Sequence, residues 1–283
     1  MPTLTALTLY PIKSCAGIPL AQAEVTAHGL AYGGVRDREW MAVDPEGNLL
    51  TQREHPAMAL IVPRIVGDAV ELSAPDLPVL RLPIDTAPLA LAATMDVRVW
   101  DDFVQAWDCG SEAAEWFSHA IGATCRLARF HAGARRLASH KWTGGRDVPT
   151  LFADGFPMLV ISEASLTDLN GRLRAQGRAA LPMNRFRPNL VIGGIDAYEE
   201  DYAATIRIGA ACLQPVKPCA RCPMPSIDQD TGRFGPDPLD ILQTYRANPL
   251  VDGGLTFGMN AILIEGEHAQ LRVGQEADIE IAF

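Results

Sequence analysis

At 283 residues, 48% hydrophobic and 20% charged, the chain has an ordinary globular composition and enough length to bury about three quarters of its unfolded surface. A formal net charge of −10 excludes general binding to nucleic acid, whose phosphates attract basic surfaces. No apolar run approaches the roughly 20 residues of a membrane span, and the first residues lack the basic stretch and cleavage site of a secretory signal, so a cytoplasmic location off the membrane is expected.

In chain order, most of the sequence reads as short strands between turns. Trp40–Val43 and residues 49–53 flank Asp44-Pro-Glu-Gly-Asn48, residues 61–66 and 70–73 flank Gly67-Asp68, and residues 97–100 and 103–107 flank Asp101-Asp102. The first helix is Ser111–Ile121, with Ser111 as its cap and Ala113, Trp116, Phe117 and Ile121 on one face. Residues 125–155 then read as a linker and a mobile basic loop. They carry Arg126, Arg129, Arg135, Arg136, Lys141 and Arg146 with no acid before Asp147, together with Gly133, Gly144 and Gly145. Such a loop is either simply solvated or a docking patch for an anion. A second helix over 162–176 sets Leu166, Leu169 and Leu173 on one face and ends before Gly177, a residue suited to the left-handed position. A third over 237–246 opens with Asp237 and Pro238 and buries Leu239, Leu242 and Tyr245. Strands return at 255–264, 271–273 and 279–281. The pattern is an α+β, β-rich chain with a domain boundary near residue 123.

The six cysteines, at 15, 109, 125, 212, 219 and 222, are irregularly spaced and do not read as a disulfide framework. Chemistry concentrates in Lys217-Pro-Cys-Ala-Arg-Cys-Pro223. A zinc site would need a second cysteine pair or two suitably spaced histidines. A thioredoxin-like dithiol should open a long helix, whereas Pro223 and Pro225 follow here. An iron–sulfur cluster would want further cysteines nearby. Three readings stay open: a thiolate metal ligand, a redox dithiol and a buried structural cysteine. Lys217 and Arg221 favour the thiolate. Cations also gather at Lys13-Ser14 after the first strand, at Arg36-Asp-Arg38, and at Asn184-Arg-Phe-Arg-Pro-Asn189, a choice of residues suited to phosphate and flat acceptor-rich rings.

Four segments taken in order carry a resemblance: LYPIKSCAGIPL from Leu9, VRDREW from Val35, NRFRPNLVIGG from Asn184, and KPCARCPMPSIDQDTG from Lys217. They resemble the motifs of the MOSC-domain proteins, in the subgroup built around the mitochondrial amidoxime-reducing component and its bacterial relatives. The resemblance implies an N-terminal β-barrel-like domain over 1–123 and a MOSC β-barrel domain over 124–283 with a few flanking helices. It also implies a molybdenum cofactor, a pterin whose dithiolene holds the metal and which ends in a phosphate. Carried over position by position, Cys222 would be the protein's sulfur ligand to molybdenum and the catalytic residue. Lys13, Ser14 and Arg38 would hold the cofactor from one side, and Arg187 and Asn189 from the other. Ala220 and Arg221 would add contacts from the cysteine loop, with Asn260 nearby. Cys219 would be structural or a neighbouring thiol.

The implied reaction is two-electron reduction of hydroxylamines, N-hydroxylated bases and amidoximes to the amine and water. The cofactor carries the hard step. No ferredoxin-like domain follows the last strands, and no anchor precedes the first, so the electrons are expected from a separate ferredoxin- or flavin-type partner. No proton donor is evident; His131 and His140 lie in the basic loop. Two other classes compete. One is a molybdopterin-binding or sulfur-carrier protein working through a Cys222 persulfide, and the other is a dithiol oxidoreductase using Cys219 and Cys222.

Overall fold

The structure, a computed structural model, describes residues 1–87 and 93–282. It is β-rich with short helices, as the turn-punctuated pattern predicts. The largest sheet runs in the order Ile18–Leu20, Thr3–Leu9, Leu190–Gly193, Met158–Ser162, Gly254–Glu265, Ala211–Ala220, Ala203–Ile208, Ala277–Ile281. Its opening strand therefore comes from the far N-terminus. Thr3–Leu9 pairs antiparallel with Leu190–Gly193, with Leu4 opposite Ile192 and Leu7 opposite Leu190. The exchange is mutual, because the late strand Gln270–Arg272 pairs with Gln22–Thr26. Leu4, Leu7 and Leu9 all point into the main core, which strict alternation forbids for Leu4 and Leu7; a register shift between Leu4 and Ala6 brings them to the same face.

Met158–Ser162 and Leu190–Gly193 run parallel, which requires a crossover, and the helix Glu163–Ala175 lies within it. Ser162 caps that helix by accepting from the Ser165 amide, and Gly177 after its end takes φ +72°. Ser111–Ile121 forms as read and buries Ala113, Trp116, Phe117 and Ile121, but Gly110 is its cap and Ser111 its first helical residue. The third helix is shorter than read, Leu239–Gln243 only. Pro238 holds the cap position, and the Arg246 guanidinium turns away to Asp201 and Thr256. Residues 49–53 are not a strand. Leu49 makes one bridge to Val43, and the buried Gln52 amide then donates to the Ser14 carbonyl at 2.6 Å.

The expected mobile linker at 125–155 is instead pinned. Arg126–Phe130 is an interior strand between Asp102–Asp108 and Trp40–Val43, so a strand lying after residue 123 completes a sheet built from residues before it. Arg129 is buried, 2.7 Å from the buried Glu39, stacked 4.5 Å from Trp40 and bonded to the carbonyls of Pro83 and Ile84. Arg136 pairs with Asp102 at 2.7 Å and donates to the carbonyls of Leu151, Ala153 and Asp154. These arginines bind the chain to itself. Their acidic partners lie outside the 125–155 window, which is why the window alone looked like a solvated basic loop.

Removing one member of a buried ion pair leaves the other charge without compensation. Arg129→Ala should therefore cost about 3–5 kcal/mol in urea unfolding. A loss below about 1 kcal/mol, the scale of an exposed pair, would return this segment to the surface.

Candidate active site

Tyr10 follows directly on the first strand, and the chain then folds into a tight turn through Cys15, whose amide donates to the Ile12 carbonyl. A second segment zips against that turn. Arg38 N donates to the Tyr10 carbonyl, Trp40 N to that of Pro11, and Lys13 N to that of Trp40. A third segment, around the short helical turn Met183–Arg185, brings in Arg187. Ser14, Arg38 and Arg187 all take positive φ, at 66°, 51° and 55°. Side chains avoid this conformation at a cost of about 1–2 kcal/mol each, so the surroundings hold all three in place. The result is a Tyr10 ring with the Arg38 and Arg187 guanidinium carbons each 4.3 Å from its centroid.

Lys13, Ser14, Arg38, Arg187, Asn189, Ala220, Arg221, Cys222 and Asn260, the whole set expected from the resemblance, line one cleft of about 260 Å³. Its cations are Lys13, Arg38, Arg53, Arg185, Arg187, Lys217 and Arg221, and its single acid among the described residues is Asp154. In a protein of net charge −10 this is a strong local reversal of sign. Arg187 is buried, and burial pulls its pKa down. Its Nη2 has no hydrogen-bond partner among the described residues. A buried guanidinium with an open donor calls for an anion or acceptor beside it.

The other side chains differ in how much they have to offer. Asn189 uses its whole amide within the protein: Oδ1 accepts from Arg38 Nη1 at 3.1 Å and Leu159 N at 3.2 Å, and Nδ2 donates to Thr8 O and Asp37 Oδ1. It orients Arg38 and the buried Asp37, whose carboxyl burial pushes up despite the adjacent Arg38. Arg221 likewise donates from all three nitrogens to the carbonyls of Phe257 and Phe186, clamping the cysteine loop. Asn260 lines the cleft and donates to the Lys217 carbonyl at 3.2 Å. Ala220 ends the strand opposite Thr256. Cys222 is half-buried in the cleft wall.

Burial pushes the Cys219 thiol up, outweighing Arg221 and Lys217, so for that cysteine the expected shift towards thiolate is reversed. Lys13 donates to the Phe152 carbonyl at 2.8 Å and to Asp154 at 2.5 Å. Its own burial lowers its pKa against the pull of Asp154. Desolvation opposes ionisation of Asp154, but Lys13, Arg38 and Arg53 together hold its carboxyl well below the usual range. His131 stacks on Trp107 and His140 pairs with Asp147; neither lines the cleft.

Residues 1–124 match the family described as MOSC N-terminal beta barrel domain, and residues 147–278 match the MOSC domain. Mitochondrial amidoxime-reducing component 1 of Mus musculus is 39% identical over 248 residues, covering 86% of this chain and 71% of that protein. Component 1 of Homo sapiens is 37% identical over 249 residues, and component 2 of Homo sapiens is 34% identical over 248, each covering 86% of this chain and 72% of the relative. The chain belongs to this MOSC family.

In this MOSC protein the cleft takes Lys13, Ser14, Arg38 and Arg53 from the first matched segment, and Asp154, Arg185, Arg187, Lys217 and Cys222 from the second. Sequence reasoning missed Thr51, Arg53 and Asp154 as lining residues. Arg53 sat in a run read as strand, and Asp154 in the supposed linker. Arg185 stood in a quoted motif without being singled out.

Millimolar pyrophosphate should raise the Tm of ligand-free protein by about 2–4 °C per kcal/mol of binding. Arg187→Met should remove most of that rise. Equal rises in both proteins would show that the buried guanidinium does not face the anion.

Proposed function

We propose that this chain is a molybdenum-cofactor-dependent reductase of N-hydroxylated compounds, converting amidoximes, hydroxylamines and N-hydroxylated bases to the amine and water. The observation that carries the reading is the cationic cleft, with its open Arg187 donor and the Cys222 thiol in its wall. Relatives named for amidoxime reduction support the substrate class.

The residues present fit a phosphorylated pterin dithiolene. Arg187, Ser14 and Lys13 would hold its anionic and acceptor groups, Arg38 would be aimed at it by Asp37 and Asn189, and Cys222 would add the protein's sulfur. Among the described residues no group of three or more His, Cys, Asp or Glu side chains could hold a metal ion. A metal here would bring most of its own ligands, as a dithiolene cofactor does. When bound, the cofactor supplies the two-electron exchange.

The chain's own contribution is position and charge. Arg221 fixes the loop so that Cys222 Sγ stays in the cleft wall. Lys13 Nζ, held between Phe152 O and Asp154, carries a proton inside the cleft with an acidity raised by burial. Per turnover, R–NH–OH takes two electrons and two protons and releases R–NH2 and water. The two electrons would come from a separate partner of ferredoxin or flavin type. No helix among the described residues is long and apolar enough to cross a membrane.

Protein expressed with molybdate should carry about one molybdenum per chain and reduce benzamidoxime to benzamidine with an artificial reductant. Cys222→Ser should lose more than about 100-fold in kcat/KM, and Cys219→Ser should stay within about threefold. Equal losses in both would favour a dithiol mechanism. Labile sulfur without molybdenum would instead mark Cys222 as a sulfur carrier.

A further inference from the structure

The hairpin formed by Thr94–Val99 and Asp102–Asp108 closes through a two-residue loop, since Val99 lies directly opposite Asp102. The first position of that loop is Trp100, at φ +58°. Tight hairpin loops favour glycine or asparagine where φ is positive, and a bulky residue there is strained. Trp100 does not itself line the cleft, but its indole is anchored to three residues that do. Its Nε1 donates to Asp154 Oδ1 at 3.2 Å, Arg53 stacks 4.4 Å from the ring centroid, and Lys13 Nζ lies 5.7 Å away. Arg98 Nε holds the Trp100 carbonyl at 2.7 Å. Trp100 remains 37% exposed. A strained aromatic, half in solvent and tied to three cleft residues, is placed for contact with something entering the cleft.

Asp154 is the second half of the arrangement. Its Oδ1 takes the bonds from Lys13 and Trp100, while Oδ2 receives none from the described residues. The side chain is 72% exposed, so this free oxygen faces the mouth. An aromatic face beside a free carboxylate is the pairing that recognises a flat, charged nitrogen group.

The chemistry of an amidoxime gives that pairing a use. R–C(NH2)=N–OH is neutral near pH 7. Two electrons and two protons convert it to R–C(NH2)=NH and water, and the strongly basic amidine then takes one further proton from solvent to become a cation. The product therefore acquires positive charge inside a cleft already lined with cations, which repel it outward. The one carboxylate waiting there is Asp154.

Resting on the reductase reading, we infer that Trp100 and Asp154 form the recognition rim of the cleft, selecting flat conjugated N-hydroxylated amidines and drawing out the amidinium product. Trp100 stacks on the planar part of the molecule. Asp154 Oδ2 accepts from its nitrogen edge.

The test uses full-length, molybdenum-loaded protein with metal content matched between variants. Benzamidine should inhibit benzamidoxime reduction competitively and far better than neutral benzamide. In Trp100→Ala the benzamidine Ki should rise, and the benzamidoxime-to-acetamidoxime ratio of kcat/KM should fall, each about tenfold, with Trp100→Phe recovering most of both. Asp154→Asn should erase the preference for benzamidine over benzamide. An unchanged selectivity ratio in Trp100→Ala, or equal inhibition by the two probes in the wild type, overturns the proposal. Calorimetric binding of benzamidine to wild type and Trp100→Ala reads the rim without turnover. If loaded wild type reduces neither amidoxime yet binds benzamidine in a Trp100-dependent way, the reductase reading fails and the rim stands. Turnover without Trp100 dependence sinks the rim alone.

Discussion

The site depends on positive charge held together against its own repulsion. Two guanidinium groups share the Tyr10 ring, and one of them, Arg187, is buried with an unfilled donor. Left to themselves these groups would separate into water; loss of solvent on burial, with a smaller contribution from the Arg38 charge, depresses the Arg187 pKa. The backbone ladders around them hold three residues of the constellation in the left-handed conformation. Asp37 and Asn189 then supply a neutralising base beneath Arg38, which leaves Arg187 as the member of the pair without a side-chain partner for its Nη2 among the described residues. Strain and desolvation concentrated in one place are what a binding site for a large anion requires.

That closure is possible because the two halves of the sequence are not independent bodies. The first strand lies in the sheet of the second half, and the strand Gln270–Arg272 lies in a sheet of the first. The turn carrying Lys13 and Ser14 is thereby fixed relative to Arg187 and Cys222 by backbone ladders, with no flexible hinge needed to align them. The basic segment after residue 125 reinforces the joint. Arg129 and Arg136 tie it to Glu39 and Asp102, both in the N-terminal half.

Much of the site was legible because it is written in short contiguous motifs. Lys13-Ser14, Arg38, Arg187 and Cys222 each stand in a quoted segment, and the order of those segments pointed to the family to which this chain belongs. What the sequence concealed is how the polar atoms are spent. Asn189 and Arg221 look like ligand-binding side chains, yet their hydrogen bonds go to the protein, a matter of tertiary geometry that residue type does not reveal. The same holds for the pinned segment after residue 125, whose acidic partners are distant in sequence. Asp154 and Arg53 carried no local signal at all, since each becomes a site residue only when the fold brings it beside Lys13 and Trp100, which are distant in sequence. The strands were read well where alternation was strong. Residues 49–53 failed because Gln52 is buried by a backbone contact to Ser14 rather than by pairing.

The interleaved sheet also sets an order of events. Thr3–Leu9 leaves the ribosome first, but its inner neighbour Leu190–Gly193 is made some 180 residues later, and such distant pairing forms slowly. Until then the lysine and serine of the opening turn have no opposite wall. The cleft thus comes into being only late in synthesis, after the segments that carry Arg187 and Cys222 have followed the opening turn off the ribosome.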